Sequence, residues 1–307
     1  MSTDVQLSIG LPNFGSWPAG DWRGFTDVGR AADDAGIDRI VLVDHVVMGP
    51  NTQNYSWGRF PTPPEADWPE PLTLLAAIAA VTSRVRLATG ILVAPLRGAT
   101  LLAKTAATLD QLSGGRLELG VATGWQREEY DAAGIDWDNR GRLLTDTLAA
   151  CKELWTNLPA SFVSETVNFT DAYCAPRPVQ PGGVPLWIGG TLNTRNLARI
   201  VRSGDGWIPI MGLSTADMAR DVARIRTALA DAGRDPGALR VQGPLPLVKD
   251  DAGRFDLTRT MAGAAEVIAA GATAVHLPIQ VFCAGPDAAP AFFAEARKAF
   301  DKVVSGG

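Results

Sequence analysis

The chain of 307 residues is poor in histidine and cysteine: it contains two histidines and three cysteines. Two imidazoles, His45 and His276, are too few for a histidine-rich metal centre, and we expect no bound metal. Three cysteines without a CxxC pair give neither a disulfide framework nor a zinc site. This cysteine usage favours a reducing compartment, and we expect a cytoplasmic protein.

The chain also lacks an excess of basic charge and any long apolar run. Its 28 lysines and arginines stand against 33 acidic residues, which gives a net charge of −5. Proteins that bind duplex nucleic acid usually carry a basic surface, so nucleic acid is not an expected partner. No stretch approaches the roughly 18 apolar residues of a membrane span, and the N-terminus shows no signal-peptide pattern.

The apolar residues that are present alternate between strand and helix spacing along the chain. A buried run at 5–11 precedes a segment, 22–35, in which apolar residues recur every three or four positions, and another buried run follows at 37–43. Asp21 is the expected N-cap of the helix. A strand, a helix and a strand within about 40 residues predict a βαβ unit with parallel strands.

This alternation continues until eight strands and eight helices are predicted. The strands are predicted at 5–11, 37–43, 85–92, 116–121, 185–188, 206–210, 239–248 and 273–279. The helices are predicted at 22–35, 71–81, 101–112, 140–155, 194–201, 218–229, 258–270 and 290–304. Eight such units are what an α/β fold of the (β/α)8 TIM-barrel type needs. We therefore predict one barrel domain over residues 1–307, with an open doubly wound sheet as the alternative.

Two segments are longer than ordinary barrel loops, and we predict them as insertions. The first, 44–69, follows the second strand and contains Trp57, Phe60 and Trp68. The second, 158–183, precedes the fifth strand. The aromatic rings of the first insertion either stack on a flat, apolar ligand or pack the insertion down.

The carboxyl ends of barrel strands carry the active site in this fold class, so the residues there are the candidates. They are Asp44 and His45 after strand two, Thr89, Gly90 and Ile91 in strand three, Ala122, Thr123, Gly124 and Trp125 after strand four, and Gly189, Gly190 and Thr191 after strand five. Glycines before a helix suit an anion, because the backbone amides there can approach a phosphate. A plain tight turn is the alternative.

His45 is the candidate proton donor, because it is an imidazole beside a carboxylate at a strand end. A hydrogen-bonded structural histidine is the competing interpretation. His276 lies inside the eighth predicted strand among apolar neighbours, and we interpret it as core or rim filler.

Taken together, these sequence motifs resemble those of one protein family. The run 101–121, with its continuation Thr123-Gly124-Trp125 and Glu128-Glu129-Tyr130, is similar to the hallmark of the bacterial luciferase-like flavin-dependent oxidoreductases. The segments 43–45, 84–90 and 185–190 match as well, and the resemblance runs from about residue 5 to residue 210.

The resemblance implies a (β/α)8 barrel that uses either reduced FMN with oxygen or the deazaflavin coenzyme F420. The chain is most similar to the F420-dependent branch, which implies hydride transfer between the deazaflavin and a small organic substrate. An FMN-dependent monooxygenase and a non-catalytic flavin-binding protein are the alternatives. The family resemblance also implies a homodimer.

The resemblance further assigns roles to the strand-end residues. It implies Asp44 near the ring edge and His45 near the reactive centre, with a bulged third strand and a non-proline cis peptide at or near Gly90-Ile91. It implies cofactor phosphate near Thr123, Gly124, Gly189, Gly190 and Thr191. Some sugar-converting members carry a glutamate where Trp125 stands, so we expect a less charged substrate in a pocket of Trp57, Phe60 and Trp125.

Overall fold

A computed structural model describes residues 5–15, 17 and 20–306, so the first four residues, where no signal peptide is expected, lie outside it. The strands are β1 (Gln6–Gly10), β2 (Arg39–Leu42), β3 (Arg86–Val93), β4 (Leu117–Ala122), β5 (Ala160–Val163), β6 (Asn168–Ala172), β7 (Leu186–Gly189), β8 (Gly206–Ile208), β9 (Arg240–Pro244) and β10 (Ala274–Pro278). The α-helices are α1 (Phe25–Asp34), α2 (Pro71–Ala79), α3 (Ala99–Ser113), α4 (Arg127–Ala132), α5 (Arg140–Thr156), α6 (Thr194–Ser203), α7 (Thr215–Asp231), α8 (Leu257–Ala262), α9 (Ala264–Ala269) and α10 (Ala289–Val304).

Eight of the strands form a closed parallel barrel in the order β1-β10-β9-β8-β7-β4-β3-β2. Closure is seen at Ser8 of β1, which is aligned with Arg39 of β2 on one side and with His276 of β10 on the other. The predicted TIM barrel is confirmed, and an open sheet is excluded. The second predicted insertion contains an antiparallel hairpin, β5 with β6, that is separate from the barrel sheet.

Three differences between the predicted and the observed helices have a clear physical reason. The first begins at Phe25, because the Asp21 carboxylate accepts a hydrogen bond from Gly24 N (2.8 Å) in a turn that precedes the helix. The predicted helix at 258–270 is two helices, α8 and α9, that meet at Gly263. Helix α4 was not predicted, because six residues are too few to show a helical period.

Two predicted strands end at least two residues earlier than expected. Strand β8 ends at Ile208 and not at 210, and β9 ends at Pro244 and not at 248. Pro246 follows β9 closely, and a proline has no amide hydrogen to continue a ladder.

The inside of the barrel is polar at its amino-terminal end. The fully buried Arg39 guanidinium donates to Glu118 (2.7 Å) and to Gln242 (2.7 Å), and it stacks on the Trp187 ring at 4.5 Å. Glu118 also pairs with Arg86. A buried charge is tolerated when it is paired in this way. The ion pairs fill the amino-terminal end, so the opposite end of the barrel is the end available to a ligand.

The described residues contain no helix that is long and apolar enough to cross a membrane. The three cysteines, Cys151, Cys174 and Cys283, are buried and free.

Asp33 joins α1 to the start of β3 and provides a stability test. Its carboxylate accepts from the amides of Ser83 (2.8 Å), Arg84 (2.9 Å) and Val85 (2.6 Å). Burial raises the pKa of Asp33, but these hydrogen bonds outweigh burial and hold the pKa below 3.8. We expect Asp33→Ala to lower the free energy of unfolding by about 3 kcal/mol near neutral pH, because buried amides lose their acceptor.

The same variant has a defined pH dependence. A carboxyl with a depressed folded-state pKa stabilises the fold above its unfolded pKa, and this contribution is lost as the pH falls through the folded pKa. The difference between parent and Asp33→Ala is therefore expected to shrink below about pH 3.8 in denaturant titrations. Asp27→Ala, which removes an exposed carboxylate from the same helix, is the control. Equal stability of Asp33→Ala and the parent near neutral pH would contradict the assignment.

Candidate active site

The predicted site residues follow four neighbouring strands of the barrel. Strands β2, β3, β4 and β7 are adjacent in this order. Because parallel strands bring their carboxyl ends to one rim, the segments after these strands share one side of the mouth.

His45 is held by a carboxylate from α4. Its Nδ1 lies 3.1 Å from Glu129 Oε2, and the other carboxylate oxygen accepts from Val46 N at 2.8 Å. Glu129 is 1 % exposed and lies in the first turn of α4. A carboxylate accepts hydrogen bonds only, so the Nδ1 of His45 carries a proton. In the described part of the chain nothing is hydrogen-bonded to His45 Nε2, which is therefore the nitrogen left for a ligand.

Aromatic rings cover the imidazole. The rings of Phe60, Trp68 and Trp125 meet His45 edge to face, with centroids at 5.5, 4.7 and 5.8 Å. Phe60 and Trp125 also pack on each other at 5.2 Å, whereas Trp57 is 43 % exposed and reaches the cluster through Tyr55. Two of the three residues predicted for the substrate pocket therefore lie against His45, and Trp57 lies at the outer edge.

Asp44 has protein partners for its whole carboxylate. Its oxygens receive Arg97 Nη1 (2.8 Å), Arg97 Nη2 (2.9 Å) and the amide of Val93 (2.7 Å). Arg97 also pairs with Glu70, the N-cap of α2. The Asp44 side chain has no exposed surface. It ties the end of β2 to the end of β3.

The third strand is irregular at the predicted position. Its register against β4 shifts between Thr89 and Leu92, and the Gly90-Ile91 peptide bond is cis, as the resemblance implies. The Ile91 side chain turns into the barrel and packs with Trp187. The Thr89 hydroxyl donates to Gly120 O (2.8 Å), and the residue is fully buried, so its hydroxyl already has a protein partner.

The loop after β4 is braced from below by Tyr130. The Tyr130 hydroxyl donates to Thr123 O at 2.5 Å, and burial raises the pKa of Tyr130 well above its usual range. Tyr130 therefore remains a donor over the whole physiological pH range. Ala122, Thr123 and Gly124 are half-buried, so this loop is accessible from the mouth.

The loop after β7 is fixed through its carbonyl groups. Trp207 Nε1 donates to Gly190 O (2.9 Å), and Asn196 Nδ2 donates to Thr191 O (2.9 Å). The amide of Gly190 is already bonded to Ile208 O (2.9 Å). An anion at this loop would therefore meet Thr191 and the first turn of α6, and not the Gly190 amide.

Glu129 and Gln126 are the residues that sequence reasoning missed. Gln126 is 1 % exposed and bonds both backbone groups of Gly49, at 2.9 and 3.2 Å. Asn51 pairs with Glu128 beside it. Together they fasten the first insertion to α4. The Glu128-Glu129-Tyr130 motif was the available signal, although it does not say which strand end the carboxylate approaches.

His276 faces into the barrel. Its Nδ1 lies 3.1 Å from Ser8 Oγ, and a Cβ on Gly10 would lie 3.2 Å from its Nε2. Burial, with the charge of Arg39 beside it, lowers the pKa of His276 to about 3, so the imidazole is neutral.

The described residues contain no group of three or more histidine, cysteine or acidic side chains that could hold a metal ion. A cavity of about 390 Å³ lies outside Trp125, between the first insertion and α4, and Trp137 forms part of its lining.

The sequence is similar to known proteins over most of its length. The sequence profile of the luciferase-like monooxygenase family matches residues 4–253. An uncharacterised protein of Mycobacterium tuberculosis (strain H37Rv) is 33% identical over 223 residues, which are 69% of this chain and 77% of that protein.

Solved structures of an F420-dependent enzyme and of a monooxygenase share the fold. An F420-dependent secondary alcohol dehydrogenase, in complex with an F420-acetone adduct, superposes with a TM-score of 0.76 at 15% identity over 97% of this chain and 99% of that chain. The monooxygenase RslO1 from Streptomyces bottropensis gives 0.73 at 19% identity over 97% of this chain and 100% of that one. The chain is therefore a member of the luciferase-like monooxygenase family and an enzyme of that superfamily.

Proposed function

We propose that this enzyme transfers a hydride between coenzyme F420 and a small, weakly charged organic substrate, with His45 as the residue that moves the companion proton. The observation that carries the proposal is the arrangement around His45. A buried carboxylate fixes Nδ1, aromatic rings surround the imidazole, and none of the described residues is hydrogen-bonded to Nε2.

The residues at the rim suit a flavin-type cofactor. The irregular segment at Gly90 and Ile91 has no polar side chain, so a flat ring can lie on it. A Cβ on Gly90 would approach Val41 Cγ1 to 2.5 Å, so the backbone comes as close to β2 as glycine allows. We propose that Ala122, Thr123 and Gly124 border the ring's side chain, and that Thr191 and the backbone amides at the start of α6, but not the Arg195 side chain, hold its phosphate.

The chemistry divides between cofactor and protein. When bound, F420 supplies a ring that gives or takes two electrons and one hydrogen as a hydride. His45 Nε2 then delivers or removes the proton that balances charge on the substrate. Glu129 stabilises the charged imidazole and fixes its orientation. Phe60, Trp68 and Trp125 keep water away from His45.

We propose a positioning role for Asp44 in this scheme, because its carboxylate is occupied by Arg97 and by the amide of Val93. Through these contacts Asp44 sets where β3 ends, and thereby where Gly90 and Ile91 lie. This differs from direct contact between the Asp44 carboxylate and the ring.

FMN-dependent monooxygenation is the second candidate. It is favoured by the similarity of the fold to RslO1, which is named a monooxygenase. The His45 and Glu129 pair would serve that reaction too, since an acid near the reduced flavin is useful in both. With FMN the cofactor would supply oxygen chemistry, so the identity of the cofactor decides the reaction class.

Paired binding titrations of the purified protein with F420 and with FMN test the proposal. We expect F420 to bind at least about tenfold more tightly than FMN, which is about 1.4 kcal/mol in binding free energy. Tighter binding of FMN would replace the proposal with the monooxygenase. Binding of neither would contradict both.

Gly190 gives a test of the phosphate loop. Its φ of +115° is a conformation that L side chains rarely adopt, and a Cβ there would lie 3.3 Å from Asn196 Nδ2. We expect Gly190→Ala to weaken cofactor binding at least about tenfold, since each 1.4 kcal/mol of lost interaction is tenfold. Gly182→Ala is the matched control, because φ is also positive (+77°) but no atom lies within 4 Å. Unchanged cofactor affinity in Gly190→Ala would indicate that the phosphate binds at another loop.

A further inference from the structure

A second cavity, of about 400 Å³, lies between the first turns of α5 and α6. Its lining includes the side chains of Arg142, Arg195 and Arg199, together with the carboxylates of Asp138 and Asp146. The three guanidinium groups outnumber the two carboxylates of the lining.

Arg199 is a buried cation without a counter-ion. It is 8 % exposed, and it donates to Asn196 Oδ1 (2.6 Å), to Thr145 Oγ1 (2.9 Å) and to Gly141 O, which are all neutral groups. Burial lowers the pKa of Arg199, and the charge of Arg195 lowers it further. A buried charge that nothing balances is costly, so an anion at this place would stabilise the fold.

Two other arginines of the described residues are buried. Arg39 is paired with Glu118. Arg116 donates only to neutral groups, as Arg199 does, but the charge of Asp33 acts on it and partly offsets its burial. In the described part of the chain, no acidic side chain offsets the burial of Arg199 in this way.

The surrounding charges do not supply the missing anion. Arg195 is exposed, and in the part of the chain that the structure describes it has no ion pair, only the neighbouring cation Arg199. Arg142 is paired with Glu165, and Asp146 accepts from the Thr166 hydroxyl (2.8 Å). The first turns of α5 and α6 add the positive ends of two helix dipoles.

The cavity is linked to the loop proposed for the cofactor phosphate. Arg199 donates a hydrogen bond to Asn196 Oδ1, and Asn196 Nδ2 donates one to Thr191 O at 2.9 Å. An extended ligand whose phosphate lies at Thr191 can therefore continue toward Arg195 and Arg199. FMN ends at its phosphate, whereas F420 continues through a lactyl group into a chain of glutamates.

We infer that this cavity, with Arg195 and Arg199, binds the carboxylates of the oligoglutamate tail of F420. The inference rests on the proposed function. It adds a second place, away from the ring, at which the protein distinguishes the deazaflavin from FMN.

The test measures the dissociation constants of F420 with a full oligoglutamate tail and of F420 with no glutamate, by fluorescence quenching at low and at high salt. For the parent protein we expect the full tail to improve binding about fivefold at low salt, which is the upper range for an exposed ion pair. Salt is expected to remove most of this gain. In Arg195→Gln the gain should fall to less than about twofold, which is the lower range for such a pair, while binding of F420 without glutamate and of FMN should not change.

Arg224→Gln is the matched control, because it removes an exposed arginine from α7 and should leave the gain intact. Equal affinities for the two forms of F420 in the parent would overturn the inference and leave the proposed function standing. An equal loss of affinity for FMN and for both forms of F420 in Arg195→Gln would also overturn the inference. If neither form of F420 binds, the proposed function fails and the inference fails with it.

Discussion

Replacing His45 with alanine is expected to lower kcat by at least about tenfold while cofactor affinity stays within about twofold of the parent. The expectation follows from the geometry, because Nε2 is the ring nitrogen left open at the rim and Nδ1 is held by Glu129. A group that moves a proton acts on the chemical step and not on the binding of the flat ring. The measurement is a steady-state kcat beside a binding titration of the same preparation.

Two further variants separate a chemical role of His45 from a structural one. Added imidazole should restore part of the turnover of His45→Ala, because the substitution leaves a space of the size of the lost ring against Phe60, Trp68 and Trp125. Glu129→Gln should lie between His45→Ala and the parent, because glutamine can keep the bond to Val46 N but carries no charge. Equal turnover of His45→Ala and the parent would remove His45 from the reaction.

The second large effect concerns the fold beneath the site. Arg97→Met is expected to lower the free energy of unfolding by about 3–5 kcal/mol, because it leaves the Asp44 carboxylate buried without its cation. Burial lowers the pKa of Arg97, but the bonds and charges of Asp44 and Glu70 outweigh burial and raise it. Denaturant unfolding of the purified variant is the measurement.

A double variant gives the control for this prediction. In Asp44→Asn/Arg97→Met the buried charge is removed from both partners, and the asparagine amide oxygen can still accept from Val93 N. We expect the double variant to regain at least about half of the stability lost in Arg97→Met. A loss below about 1 kcal/mol in Arg97→Met, the value of a surface ion pair, would contradict the structural role of Asp44.

Local patterns were enough to predict the barrel, because each strand and each long helix carries its own apolar period. The eight barrel strands were all found, while the ends of β8 and β9 and the break at Gly263 were not. Those boundaries depend on prolines and on packing between helices, and the spacing of apolar residues does not indicate either of them. Helix α4 was too short for the same method.

Side-chain partners were harder to predict than positions. Sequence reasoning brought His45 and Trp125 to one rim, but it did not pair His45 with Glu129, which is 84 residues away in the chain. It also did not pair Asp44 with Arg97, which is 53 residues away in the chain. Glu129 follows β4 and Arg97 follows β3, and each reaches its partner through the packing of these segments on the end of β2. Local residue spacing does not record such long-range contacts.

A crystal structure of the complex with F420 would show whether the ring and His45 meet as proposed. Our account predicts that the ring lies against Gly90 and Ile91, with its reactive edge within about 3 Å of His45 Nε2 or one water molecule away. The phosphate should then lie at Thr191. A ring bound on another face of the barrel, or one whose reactive edge points away from His45, would contradict the proposed reaction at this site.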